Sequence, residues 1–178
     1  MSQVDSAIAF AATAHAGQVR KYDNLPYVTH PIHVMMILHK AGIRDDEMLV
    51  AAVLHDVVED TPVGLTTIGR RFGEGVMDLV EELTDRYTAG TGGNRAARKA
   101  KERERLSRAS ARAQTIKYAD LISNTASIVQ HDLSFARTYL QEKELLLGAM
   151  RGGNSLILSM AEESLQSAQT KIMRMSLR

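Results

Sequence analysis

The stretch AAVLHDVVEDTP, residues 51–62, sets one imidazole and three carboxylates (His55, Asp56, Glu59 and Asp60) behind an apolar run containing Leu49, Val50, Val53 and Leu54. Helical residues four apart share a face, so this spacing puts His55 in a column with Glu59 and Asp56 in a column with Asp60. The residues alone allow two readings, a solvated acidic helix end or a centre that holds a divalent cation. The apolar run favours the second, because ionised carboxylates buried without a partner cost several kcal/mol. Two adjacent ligands do not complete a coordination sphere. His30, in PYVTHPIHV where a loop meets a helix, and Asp120, an acid inside the apolar IKYADLISNT, are the candidates to complete it, although a lone helical Asp is also an ordinary salt-bridge partner. The chain has no cysteine, so any metal rests on His, Asp and Glu, a donor set that favours harder ions.

These groups are positioned by helices. Apolar residues recur at helical spacing almost everywhere and only three prolines interrupt them, so the pattern predicts an all-α fold. A first helix is expected over Val4 to His15, then a looser segment, GQVRKYDNLPYVTH, and a second helix from Pro31 to Gly42. A third opens on Asp45, Asp46 and Glu47, acids suited to a helix N-terminus, and closes at Thr61 and Pro62. A short helix over Leu65 to Phe72 and an amphipathic one carrying Val76, Leu79, Val80 and Leu83 follow. The glycine-rich DRYTAGTGGN, 85–94, reads as a mobile loop. Helical periodicity resumes over Thr115 to Val129, Phe135 to Met150 and Asn154 to Ile172, with fraying at MRMSLR.

The chain has 178 residues and is expected to form one domain over 1–178, with a core from about 4 to 172. With 44% hydrophobic residues, 24% charged residues and a net charge of +1, its overall charge points to neither a nucleic-acid nor a membrane partner. The N-terminus has no basic and apolar leader and no run is long enough to span a membrane, so the expected location is cytoplasmic. One segment is locally basic: Arg95, Arg98, Lys99, Lys101, Arg103, Arg105, Arg108 and Arg112 face two acids between 95 and 112. It is either a solvated helix or a lid that brings cations to an anionic ligand. Aromatic residues make up 4% of the chain and do not interleave with these bases, which disfavours nucleic acid.

Read in order, His30, His55, Asp56 and Asp120 spell H…HD…D and resemble the HD-domain metal-dependent phosphohydrolases. HAGQVRKYDNLPYVTHP, AAVLHDVVEDTP, FGEGVMDLVEELTD and KYADLISNT are similar, block by block, to the hydrolase domain of RelA/SpoT homologues, in particular the stand-alone small alarmone hydrolases. The resemblance covers about 7–147. It implies an HD-type helical bundle with a mobile, basic lid around 86–112. The implied activity is Mn²⁺-dependent removal of the 3′-pyrophosphate of (p)ppGpp, giving GDP or GTP and pyrophosphate. By the same resemblance His30, His55, Asp56 and Asp120 are the metal ligands, and Glu59 and Asp60 orient or deprotonate the water and transfer protons, with their division of labour open. Arg20 and Lys21 line the nucleotide pocket. Lys117 and Asn124, which share a helix face with Asp120, contact the ligand, and Arg137 and Tyr139 close the pocket from the following helix.

His33, one turn from His30, is not the implied ligand, and His15, His39 and His131 read as surface or structural. Where relatives have KLADRLHN this chain has KYADLISN, so Leu121 and Ser123 depart from the pattern and leave base preference open. Some relatives favour (p)ppApp and an animal relative acts on NADPH. A dNTP phosphohydrolase or a nucleotide-sensing module are the other readings, and a homodimer stays open. With nothing beyond Arg178 for a synthetase domain, hydrolysis without synthesis is expected.

Overall fold

A computed structural model describes residues 2–22, 24–87, 90 and 93–176. Among them are ten helices and no strand beyond a single antiparallel bridge between Val19 and Pro26. The chain divides into two compact units, 1–85 and 86–178.

The first unit is built around an apolar helix. α1 (Gln3–Ala14) starts on a capping box, in which the Asp5 amide donates to Ser2 Oγ at 3.1 Å and the Ser2 amide to Asp5 Oδ2 at 3.0 Å. α2 spans Thr29–Lys40 and α3 spans Asp46–Leu54, the latter capped by Asp45 through the Met48 amide. Every α3 residue from Met48 to Leu54 is buried, because α3 packs against α1, α2 and α6 (Glu74–Leu83) at once. Each large aliphatic side chain placed there contributes about 1.5–3 kcal/mol. Ala7 and Ala11, both fully buried on α1, keep α1 close to its neighbour. α5 (Leu65–Phe72) runs over the expected residues and packs against α6.

The helix expected from Asp45 to Pro62 is in fact two. α3 ends at Leu54, and after a turn at His55 and Asp56 a single-turn α4 covers Val57–Asp60. Both turn residues keep right-handed dihedrals, but Asp56 drifts to ψ −8°. The cause is local: His55 Nδ1 lies 2.8 Å from the Ala52 carbonyl, the acceptor that would serve the Asp56 amide in an unbroken helix. The Asp60 amide still donates to the Asp56 carbonyl at 2.9 Å, so the column of Asp56 and Asp60 survives the break.

The second unit holds α7 (Arg95–Ser107), α8 (Ala111–His131), α9 (Leu133–Ala149) and α10 (Ser155–Ser176). α8 packs on α9 and α10, and α7 on α9. α10 continues past the expected end at Ile172, through Met173 and Met175. The turn between α9 and α10 is tied to α8 by three bonds of 2.8 Å: Tyr118 hydroxyl to the Met150 carbonyl, Gly152 amide to Gln114 Oε1, and Asn154 amide to Thr115 Oγ1. Gly153 lies flush in that contact, where a Cβ would stand 2.5 Å from the Tyr118 ring.

The basic segment is helical over α7, and several of its cations are engaged within the unit. Arg95 makes two bonds to Glu142, at 2.7 and 2.8 Å, and covers the Phe135 ring, while Arg108 pairs with Glu104. Buried Glu102 accepts from the Arg86 and Tyr87 amides and from Arg105 Nε, which fixes the chain on its way into α7. Within the glycine-rich loop, the expectation of mobility falls partly on 88, 89, 91 and 92, which lie outside the described residues.

Candidate metal and nucleotide site

A short hairpin delivers the first histidine. The Tyr27 amide donates to the Gln18 carbonyl at 3.0 Å and the Arg20 amide to the Leu25 carbonyl at 2.9 Å, which turns the loop back on itself. The Tyr27 carbonyl then accepts the His30 amide at 2.9 Å, so His30 enters the first turn of α2 with Pro31 behind it. His55 ends α3 and Asp56 follows at the turn. The three meet: ligand atoms of His30, His55 and Asp56 lie within 4.8 Å of one another, and both imidazoles are buried.

The donor chemistry fits a cation. The Ala52 carbonyl only accepts, so His55 Nδ1 donates to it, and Nε2 faces Asp56 Oδ1, 3.2 Å away. His30 Nε2 stands 3.6 Å from Asp56 Oδ2. An imidazole nitrogen and a carboxylate oxygen this close need a proton or a cation between them. Two imidazoles and a carboxylate suit a first-row divalent metal.

The catalytic candidates stand beside this trio in the same unit. Asp60 is held above the usual carboxylate range, first by partial burial and then by the charge of Asp56. Glu59, exposed, accepts the Asp85 amide at 3.0 Å. Tyr27 donates its phenolic proton to Asp56 Oδ2 at 2.7 Å; burial, then the charges of Asp56 and Asp60, push the phenol above its ordinary range. Arg20 is half-buried; partial burial first, then the charges of His30, Arg20 and Lys40, hold His33 below its ordinary value. Lys21, exposed, lies over the Tyr22 ring and bonds its hydroxyl at 3.1 Å. His39 and His131 are exposed, as a surface reading expects.

Three residues matter here beyond those singled out by sequence. His15 is 3% exposed, which fits the structural branch of the surface-or-structural expectation; its Nδ1 bonds Gln18 Oε1 at 2.7 Å and its Nε2 has no hydrogen-bond partner among the described residues. Gln18 passes the contact on, donating from Nε2 to the Asp60 carbonyl at 2.8 Å. Tyr27, packed on His15 with ring centroids 4.7 Å apart, completes the set. The only sequence signal for Tyr27 is its place three residues before His30.

In the second unit, buried Asp120 accepts from Lys117 Nζ at 2.8 Å on one oxygen and from Asn124 Nδ2 at 2.6 Å on the other, so the three residues expected on one face of α8 do share it. Tyr139 donates to the Leu121 carbonyl at 3.3 Å, and burial, then the Asp120 charge, raises its phenol. Arg137 is exposed on α9.

Comparison with known proteins follows the same lines. A family model described as HD domain matches residues 7–144. The guanosine-3′,5′-bis(diphosphate) 3′-pyrophosphohydrolase MESH1 of Xenopus tropicalis is 34% identical over 83% of this chain and 84% of its own length. The human protein of that name is 42% identical over 69% of this chain and 68% of its own. A solved structure, described as a metazoan ortholog of SpoT that hydrolyzes ppGpp and plays a role in starvation responses, superposes with a TM-score of 0.84 at 30% identity, covering 94% of this chain and 96% of the other. A match that runs through most of the chain, and that contains the His30, His55 and Asp56 cluster, places this protein in the HD-domain family, among the relatives of the MESH1 3′-pyrophosphohydrolases.

Proposed function

We propose that this protein is a metal-dependent hydrolase that removes the 3′-pyrophosphate of (p)ppGpp, releasing pyrophosphate and GDP or GTP. The observation that carries this is the buried meeting of His30, His55 and Asp56 in a chain that matches 3′-pyrophosphohydrolases over most of its length. The family match runs unbroken from 7 to 144, which supports reading 1–178 as one HD domain.

His30, His55, Asp56 and, by the H…HD…D order, Asp120 are the ligands, and Mn²⁺ is the ion that this N/O set suits. When bound, the cation neutralises phosphate charge and acidifies a water. The water oxygen bonds to the phosphorus next to the ribose, the bond from that phosphorus to the 3′ oxygen breaks, and the 3′ oxygen takes a proton. Glu59 orients the water and receives its proton. Asp60 passes a proton to the leaving oxygen.

Arg20 stacks on the base and Lys21 neutralises phosphate. Lys117 and Asn124 hold Asp120 and turn toward the sugar or phosphate, while Arg137 and Tyr139 close the pocket. α7 cations such as Lys99 and Arg103 serve the distal phosphates as a lid. Leu121 and Ser123 bear on base choice, so (p)ppApp is the second reading. The protein acts in the cytoplasm on a small nucleotide, without nucleic acid or membrane, as a monomer or homodimer. No described helix is long and apolar enough to cross a membrane.

A substrate panel tests the assignment. With Mn²⁺ and ppGpp, ppApp, NADPH or a dNTP, the protein is expected to release pyrophosphate from a bis-pyrophosphate. Turnover confined to NADPH or a dNTP, or no turnover on any of them, would overturn the proposal.

A further inference from the structure

We propose that Tyr27 is a positioning residue for the metal centre, its hydroxyl fixing one oxygen of Asp56 so that the other stays turned toward His55. The inference rests on the function proposed above and adds a residue to it.

The geometry around Tyr27 separates its groups cleanly. Its amide is held by the Gln18 carbonyl and its own carbonyl holds the His30 amide, so the backbone alone joins the hairpin to α2. Its ring packs on His15 at 4.7 Å and meets the His30 ring edge-on at 6.1 Å. Only the hydroxyl reaches the Asp56 carboxylate, donating to Oδ2 at 2.7 Å. Asp56 Oδ1 is thereby left facing His55 Nε2 at 3.2 Å.

A carboxylate that accepts a bond on one oxygen is held in one rotamer and offers the other oxygen to an ion in a fixed direction. Such outer partners commonly change metal affinity by about 10–100-fold when removed. Gln18 and His15 brace the arrangement from behind. Gln18 Nε2 holds the Asp60 carbonyl and Gln18 Oε1 takes the His15 Nδ1 proton, which fixes the end of α4 relative to the hairpin. Tyr27 thus braces Asp56 from the hairpin that also delivers His30.

Tyr27→Phe deletes the hydroxyl and leaves the backbone bonds and ring packing in place. Metal-stripped wild type, Tyr27→Phe and Tyr27→Ala are each titrated with Mn²⁺ by calorimetry, with melting temperature and kcat measured alongside. The Phe variant is expected to melt close to wild type, to bind Mn²⁺ about 10-fold or more weakly, and to keep a lowered kcat when Mn²⁺ is saturating. The Ala variant controls for packing. If Phe restores wild-type Mn²⁺ affinity where Ala loses it, the ring alone matters and the positioning role is overturned. Equal affinity in all three overturns it as well. Failure of the wild type itself to take up Mn²⁺ would instead strike the proposed metal-dependent function.

Discussion

The two nitrogens of His55 serve different partners, and the division explains both a break in the chain and a centre of chemistry. Nδ1 bonds the Ala52 carbonyl and helps to end α3, while Nε2 faces Asp56 across 3.2 Å. Replacing Asp56 with Ala is therefore expected to abolish Mn²⁺ uptake and turnover together, checked by metal analysis and a pyrophosphate assay on the same preparation; full activity in that variant would remove Asp56 from the ligands. Glu59 bonds the Asp85 amide and stands outside the trio, so Glu59→Gln is expected to keep Mn²⁺ and lose about 10²-fold or more in rate. Loss of the metal instead would make Glu59 a ligand. At this scale the residue types were informative: a histidine and three acids behind an apolar run conflict with burial unless a cation is near. Tyr27, Gln18 and His15 could not be read from the sequence, because their roles depend on a hairpin closed by long-range backbone bonds and not on spacing along a helix.

At the scale of elements, helical periodicity located α1, α2, α5, α6, α8, α9 and α10 to within a few residues. It missed the break between α3 and α4, because a ring-to-carbonyl bond leaves no trace in hydrophobic pattern. It also could not foresee Lys143, 1% exposed on α9, whose ammonium bonds only hydroxyls, Thr125 Oγ1 at 2.9 Å and Ser164 Oγ at 3.3 Å. Burial without a counter-charge lowers its pKa from 10.5 to about 8. The folded protein then holds this proton less well than the unfolded chain. The cost of the buried ammonium is fully present below pH 8 and fades as pH rises toward 10.5, so this group makes stability increase across that window. At about 1.4 kcal/mol per pK unit the cost is on the order of 3 kcal/mol. Lys143→Met is expected to melt higher than wild type at pH 7 and to lose most of that advantage near pH 10. A variant less stable than wild type at pH 7 would mean that the two hydroxyl bonds outweigh the buried charge.

Over the whole molecule, a net charge of +1 gives no general attraction for a highly anionic nucleotide, so recognition has to come from local charge. In the proposed reading, Arg20 and Lys21 would supply it in the first unit, and Lys117 and the α7 cations in the second. The order H…HD…D and the four similar blocks are spread through the chain, which is why family and fold could be inferred before any geometry. Base preference could not, because Leu121 and Ser123 replace the residues that relatives carry at those positions. The most direct measurement is the release of products from ppGpp by metal-stripped protein, before and after Mn²⁺ is restored, with Asp56→Ala in parallel. Pyrophosphate and GDP should appear in equal amounts, only in the wild type and only with the metal. Release that persists without metal, release of single phosphates, or no release at all would contradict a metal-dependent 3′-pyrophosphohydrolase built on His30, His55 and Asp56.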